Sequence, residues 1–391
     1  MNTGLNYKQI FYLAKKLEMK AEKFFCCLII IAMSMQVKAQ KFNLLIGTYT
    51  KPGKSEGIYV HEFDASSGKA VYKNKITGLT NPTYLVLSKN EDFVYAVSEA
   101  GAGNGAVTAM AFNRETGGLS LLNQKSSVGD GPCYVSIDSK SKHVFVANYS
   151  GGSFSVLPVM KNGSLGDAVQ SIVYKSNGIG KGQQEKPHAH SAVLSPNEKN
   201  LYVCDLGNDE ILAYNYSDKA AKPVIPSQVI KLPQGSGPRH FVFHPNKKFG
   251  YSVQELSCEV VAYTLKKGTL SHLQTIAGLP EGDKGRKWAA DIHISPDGKF
   301  LYSSNRDDAN DISIFSIQKD GKLALVGRQS TLGKAPRNFV IDPTGNFLLA
   351  ANQNSDSVII FKRNHLTGLL TDTGEKIEVG SPVCLKFAET K

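Results

Sequence analysis

Tryptophan occurs once in 391 residues and cysteine only six times, with no CxxC pair. Buried free thiols are therefore expected at Cys133, Cys204, Cys258 and Cys384, rather than disulfides or a zinc site, since each falls on a separate strand-like segment. The chain also lacks an apolar stretch of membrane-spanning length. Its apolar run Phe24 to Met35 is twelve residues, whereas a helical crossing takes about 20. Positive charge is in excess, net +11, but no Lys/Arg-rich run with interleaved aromatics marks a nucleic-acid footprint.

That short run has a different meaning. Lys15, Lys16, Lys20 and Lys23 precede it and Val37-Lys38-Ala39 follows it, the anatomy of a cleavable secretory signal. Residues 1–39 are expected to be a signal peptide, with Met19 as an alternative start, and residues 40–391 the mature domain. An uncleaved anchor is the competing reading. The segment 1–39 holds six Lys and two Glu, so its removal takes the net charge from +11 to about +7. The expectation is a monomer exported to the periplasm or outside the cell, free of the membrane after cleavage.

What the chain has in abundance is repetition. A seven-residue phrase begins at Pro82, Pro132, Ala189, Pro238, Ala289, Pro336 and Pro382, as in Pro238-Arg-His-Phe-Val-Phe-His244 and Pro336-Arg-Asn-Phe-Val-Ile-Asp342. The starts are 50, 57, 49, 51, 47 and 46 residues apart, and a strand-rich period near 50 predicts propeller blades. A second phrase follows six of them after a turn such as Ser295-Pro-Asp-Gly298, so the pair reads as a hairpin. The seventh second phrase, Asn43-Leu-Leu-Ile-Gly-Thr-Tyr49, stands at the front of the mature chain. The fold predicted is all-β: a seven-bladed propeller of four antiparallel strands per blade, closed by pairing the N- and C-terminal strands, which hides two edges. A Gly-x-Leu marker at Gly117, Gly163, Gly268, Gly321 and Gly368 is expected to open the fourth strand. The blade around Tyr202 lacks it.

Antiparallel pairing puts the start of a first strand beside the end of the second, on one face of the disc. Two columns of residues should meet there. The first reads Thr83, Cys133, His190, Arg239, Ala290, Arg337 and Val383, followed one step on by Tyr84, Tyr134, Ser191, His240, Asp291, Asn338 and Cys384. The second column ends in Tyr49, Glu99, Tyr149, Leu206, Glu255, Arg306 and Gln353, each preceded by a polar residue or Thr such as Asp205 or Asn305. Charged residues where strand ends crowd need partners or water, which points to an anion-binding mouth. For Asn148, Asn352 and Ser98 loop capping is the plainer role. His188 and His190, at i and i+2, lie on one side of a strand and could clamp a metal. No spacing selects a third ligand among Asp205, Asp291, His240 and His293, and a base or hydrogen-bond donor fits equally well.

The run Gly237-Pro-Arg-His-Phe-Val-Phe-His-Pro245, with Tyr251-Ser-Val-Gln-Glu255, Leu301-Tyr-Ser-Ser-Asn-Arg306, Pro187-His-Ala-His190 and Ile46-Gly-Thr-Tyr-Thr50, resembles the seven-bladed lactonase family of 6-phosphogluconolactonase-like proteins. The resemblance extends from Phe42 to Phe387. It implies hydrolysis of a sugar lactone without a cofactor, and kinship to a fungal propeller that cyclises carboxymuconate. Matched by motif, that relative's His, Glu and two Arg fall on His190 (or His188), Glu255, Arg239 and Arg306. Glu255 or His190 would be the base, and Arg239 with Arg306 would hold the oxyanion and an anionic or sugar-derived substrate. His188, Asp205, His240, Asp291, Asn305 and Arg337 would bind or orient that substrate. Two other functions compete: a non-catalytic exported propeller binding a glycan or protein partner, and a metal-dependent lactonase.

Overall fold

The computed structural model describes residues 6–9, 11–12, 15–19, 40–51, 53–178 and 181–391. Residues 1–40 and 41–391 form separate units. In the first, residues 7–9, 11–12 and 15–19 are helical and exposed, while the apolar run and Ala39 of the expected signal lie outside the described residues. No described helix is long and apolar enough to cross a membrane.

The second unit contains twenty-eight described strands, numbered β1 to β28 along the chain, in seven four-stranded antiparallel sheets. Six sheets take four consecutive strands. The seventh has the order β28-β1-β2-β3, so the C-terminal strand β28 (Pro382–Glu389) is innermost and pairs with β1 (Lys41–Thr48) from Phe42↔Glu389 to Thr48↔Pro382. The ends of the domain are thereby clasped, as the displaced seventh phrase requires. Each blade presents a largely exposed outer strand to solvent, as in β3 (Lys69–Thr77) and β23 (Leu323–Ser330), and buries its second strand between neighbouring blades. All six residues of β13 (Asn200–Asp205), β21 (Phe300–Asn305) and β25 (Phe347–Asn352) are buried. The core is thus a series of inter-blade layers, such as Tyr202, Phe241 and Tyr263 between two adjacent sheets.

Polar latches fasten those layers. Tyr95, Tyr202, Tyr251 and Tyr302, in second strands, donate their hydroxyls at 2.8–2.9 Å to the carbonyls of Gly163, Gly268, Gly321 and Gly368 in the next blade's outer hairpin. This contact explains the Gly of the marker. At Gly321 φ is +87°, and a Cβ would lie 2.4 Å from the Phe249 ring. Leu165, Leu270 and Leu323 of the marker are buried, and their backbones carry a second latch, exchanging two hydrogen bonds each with the outer-strand amides of Asn123, Gln228 and Gln274. The blade around Tyr202 forms its outer strand, β15 (Val224–Lys231), without the marker. There Gln170 holds Val224 in the same way, and His143 meets the Tyr216 hydroxyl at 3.0 Å in place of a Tyr–Gly bond. Gly163 departs from expectation. It closes a small turn bridged Val159↔Leu165, and the outer strand β11 (Gln170–Val173) begins only later.

Removing a hydroxyl that satisfies a buried carbonyl exposes the desolvation penalty of that carbonyl. Tyr251→Phe is expected to destabilise the propeller by about 1–3 kcal/mol. Gly321→Ala should also destabilise it, because the alanine is strained at positive φ and meets Phe249. Denaturant unfolding midpoints of the two variants and the parent check this.

Candidate active site

An irregularity repeated around the ring builds the site. In β8 (Pro132–Ile137), β12 (Ala189–Leu194), β16 (Pro238–Phe243), β24 (Pro336–Ile341) and β28, the ladder to the second strand skips Cys133, His190, Arg239, Arg337 and Val383 respectively. β20 (Ala289–Ile294) has a similar shift after Ala289. An extra residue in one strand breaks the alternation of side chains and re-aims the residue it displaces. Consecutive residues such as Arg239 and His240 consequently line one cavity, together with Thr83, Tyr84, Cys133, His190, Arg337 and Val383.

A second ring is set by one backbone hydrogen bond made seven times. The residue just after each second strand donates its N–H to the carbonyl two places before the displaced residue: Tyr49 to Ser381, Glu99 to Asn81, Tyr149 to Gly131, Leu206 to His188, Glu255 to Gly237, Arg306 to Trp288 and Gln353 to Ala335, at 2.7–3.1 Å. Of the residues whose carbonyls accept, Asn81, Gly131, Gly237, Ala335 and Ser381 have positive φ. The sharp bend there turns the chain into the bulge.

Glu255 is the hub. Its Oε2 accepts from Arg239 Nε at 2.7 Å and from Arg306 Nη2 at 2.8 Å, and its Oε1 accepts from Trp288 Nε1 at 2.5 Å. Burial opposes its charge, but Arg306, Arg239 and the indole N–H hold the carboxyl below its ordinary range. Arg239, 1% exposed, also donates Nη1 to the Ala290 carbonyl. Arg306 lies over the Trp288 ring and donates to the Ala289 carbonyl. Burial lowers Arg306 to about 9, which leaves it charged at neutral pH, and its buried Nε has no acceptor among the described residues. Arg337 lies over the Tyr49 ring. Burial opposes its charge, and Tyr49, Glu99 and Glu255 hold it protonated. Glu99 in turn accepts from the Tyr49 hydroxyl at 2.8 Å and the Thr83 hydroxyl at 2.5 Å.

Two imidazoles adjoin this group. His188 gives Nδ1–H to the Tyr149 carbonyl at 2.8 Å and stacks on the Tyr149 ring, which leaves Nε2 with a lone pair. His190 meets Tyr149 edge-on and has Cys133 Sγ at 3.7 Å from Nδ1. Burial lowers both, and His190 is driven well below its ordinary value by Arg239, His240 and Arg337 as well. Both are neutral at pH 7.

The structure thus brings together His188, His190, Arg239, Glu255, Arg306 and Arg337. His240 and Asp291 occupy a layer directly behind Arg239. Asp205 and Asn305 do not join the group. Asp205 accepts the backbone N–H groups of His188, Gly207 and Asn208, and Asn305 donates to Asp311 and Ser313, so both cap loops. Residue type at the strand end could not separate these caps from ligands. Tyr49, Glu99 and Tyr149 stand in the second column of the sequence without an assigned role, and Trp288 falls outside both columns; for Trp288 the available signal is its being the one tryptophan of the chain. Among the described residues no cluster of three or more His, Cys, Asp or Glu is arranged to hold a metal, and the four cysteines of the domain are free and buried. Roomier hollows occur at the surface, one lined by Lys89, Lys140, Lys142 and Lys161, whose charges are all exposed lysines.

Residues 43–387 match the family model for lactonase, 7-bladed beta-propeller. The chain is 38% identical over 354 residues to 6-phosphogluconolactonase of Bacillus subtilis, covering 89% of this chain and 98% of the relative. Among solved structures it is similar to the periplasmic gluconolactonase of Pseudomonas aeruginosa, with a TM-score of 0.86 at 36% identity, covering 90% and 100% of the two chains. A putative 6-phosphogluconolactonase from Bacteroides fragilis gives a TM-score of 0.86 at 38% identity over 90% and 98%.

The Glu255 carboxyl ionises more readily in the folded state than in the unfolded chain, so its contribution to stability is full above the unfolded value of 4.5 and is lost as pH falls through the folded value. Urea unfolding from pH 7 down to pH 3 should show stability declining once pH drops below about 4.5. Glu255→Gln should be less stable at pH 7 by about 3–5 kcal/mol, because two buried guanidinium groups lose their counter-charge, and its decline with acid should be shallower.

Proposed function

This chain belongs to the seven-bladed β-propeller lactonase family, and we propose that it opens a sugar-derived lactone to the aldonic acid at the charged ring around Glu255. Two relatives named 6-phosphogluconolactonase are matched over 98% and 99% of their length, and this chain is a lactone hydrolase, an enzyme acting on a carboxylic ester. The observation that carries the site reading is the junction of a pinned, ionised Glu255 with three guanidinium groups and two neutral imidazoles.

Ring opening needs a base to activate water, a donor for the oxyanion and a positive field for the emerging carboxylate. Glu255 is poorly suited as the base, since its oxygens already accept three charged or polar donors and its ionised form is favoured. It orients Arg239 and Arg306 instead. The neutral imidazoles of His188 and His190 are available to take the proton from water; a positioned base contributes a factor of about 100 to 10,000. The unpartnered Nε–H of Arg306 supplies an oxyanion donor, worth roughly 3 kcal/mol when well aimed. Arg337, with no hydrogen bond among the described residues, meets the anionic group. The cavity behind the ring offers about 10 Å³ to the centre of a water molecule, so the sugar is read as lying over it, against Tyr49, Tyr149 and Trp288.

The signal-like N-terminus and the periplasmic neighbour both support export, and with it a lactone met outside the cytoplasm. A pH-stat assay of the mature chain with gluconolactone and its 6-phosphate, each with and without chelator, tests the reading. Turnover insensitive to chelator is expected. Arg306→Ala and His190→Ala should each lower kcat by about 100-fold or more, and Arg337→Ala should chiefly raise KM. Because burial keeps both imidazoles neutral, kcat/KM should be level above pH 7 and fall only on the acid side of the ordinary histidine value of 6.5. Undiminished turnover in both Glu255→Gln and Arg306→Ala would remove the site from consideration.

A further inference from the structure

Behind the Glu255 ring lies a buried layer that the chemistry above leaves idle. Asp291 on β20, 1% exposed, joins three blades. Its Oδ1 accepts from His240 Nδ1 at 2.7 Å and from the Ile292 N–H at 3.0 Å. Its Oδ2 accepts from His293 Nε2 at 2.9 Å, from the Phe339 N–H at 3.3 Å and from Asn338 Nδ2. On its other side His240 Nε2 faces Arg239 Nη1 at 3.3 Å.

The end groups of this line determine the tautomer in the middle. A carboxylate only accepts hydrogen bonds and a guanidinium only donates them. His240 therefore carries its proton on Nδ1, toward Asp291, and keeps the lone pair of Nε2 for Arg239. Burial and the adjacent Arg239 lower the imidazole to about 4, so it is neutral at pH 7; burial opposes charge on Asp291, but His293 and His240 hold the carboxyl well below its ordinary range.

We propose that Asp291 is a positioning residue of the active site: acting through the His240 tautomer, it supplies Arg239 with an acceptor and so orients the guanidinium that grips Glu255 and the Ala290 carbonyl. This rests on the reading of Arg239, Glu255 and Arg306 as the lactone site. It also gives the layer a role distinct from joining blades, which Asn338 serves independently by accepting the Leu385 N–H at 2.7 Å.

Asp291→Asn separates the two roles. The amide oxygen is drawn to the Oδ2 side, where the Phe339 N–H and Asn338 Nδ2 both donate and Asn338 cannot flip without losing Leu385. The new NH2 then faces His240 Nδ1, so the imidazole proton moves to Nε2 and points at a guanidinium N–H. Arg239 loses its acceptor and is displaced. The expected result is a fall in kcat/KM of about 10- to 100-fold, the range for partners that orient a reacting group. In a His240→Gln background, where a side-chain amide oxygen faces Arg239 and no tautomer has to be set, the same substitution should add little further loss. Nitrogen-15 NMR of the histidine-labelled chain gives a reading independent of turnover. The signal missing from His240→Gln should show a protonated Nδ1 and bare Nε2 in the parent, and the reverse in Asp291→Asn. An equal loss in both backgrounds, or a parent His240 protonated at Nε2, overturns the proposal. If the parent opens no lactone, the function above fails while the spectrum still decides the tautomer; if Asp291→Asn does not fold, the parent spectrum alone decides it.

Discussion

The structure depends on one backbone arrangement made around the ring: a displaced residue near the start of the innermost strand, clamped by a hydrogen bond from the end of the second strand. In a regular strand, neighbouring residues face opposite ways. The bulge suspends that rule once per blade, and the clamp fixes the height at which it happens. Two rings of side chains are thereby held in register, one from the bulges and one from the strand ends. Six of the bulges are seen directly in the ladders. Function enters through what a few blades place in those positions.

Placing charge there has consequences for stability. Arg239 is among the largest fully buried side chains of the domain, and an unpaired buried guanidinium would be strongly unfavourable. Glu255 resolves this by accepting from two arginines, and Trp288 completes its shell. Arg239, Arg306 and Arg337 against Glu99 and Glu255 leave the site with one positive charge in excess, which suits an anion. Most of the apolar packing and the repeated latches lie elsewhere, in the layers between blades and in the Tyr–Gly and amide contacts near the outer edges. That separation lets the mouth carry chemistry on a frame fastened at its perimeter.

Much of this was legible in the sequence because it repeats. The period near 50, the proline that opens a phrase and the orphan phrase at Asn43 together specify seven blades and their closure. The columns containing His190, Arg239, Glu255 and Arg306 follow from aligning those phrases. What the repeat could not reveal is what occurs in one blade only. Trp288 stands one place before its phrase and has no counterpart in the other six. Asp205 and Asn305 sit in the right column but turn to nearby N–H groups or side chains, a matter of local loop shape rather than residue type. Asp291 and His240 belong to adjacent blades, and their bond, 51 residues apart in sequence, sets which nitrogen meets Arg239. The Gly of the outer hairpin likewise acquires its meaning from a tyrosine in the preceding blade, 66 to 70 residues away.

The central claim is that one mouth of the disc, where the two rings meet, receives the lactone. A crystal structure of the mature chain soaked with gluconate, the ring-opened product, tests it most directly. The account predicts the product carboxylate within hydrogen-bond distance of Arg337 or Arg306, with the sugar against Tyr149 and Trp288. Gluconate bound instead at the lysine-lined hollow around Lys89 and Lys142, with the Glu255 ring untouched, would contradict it.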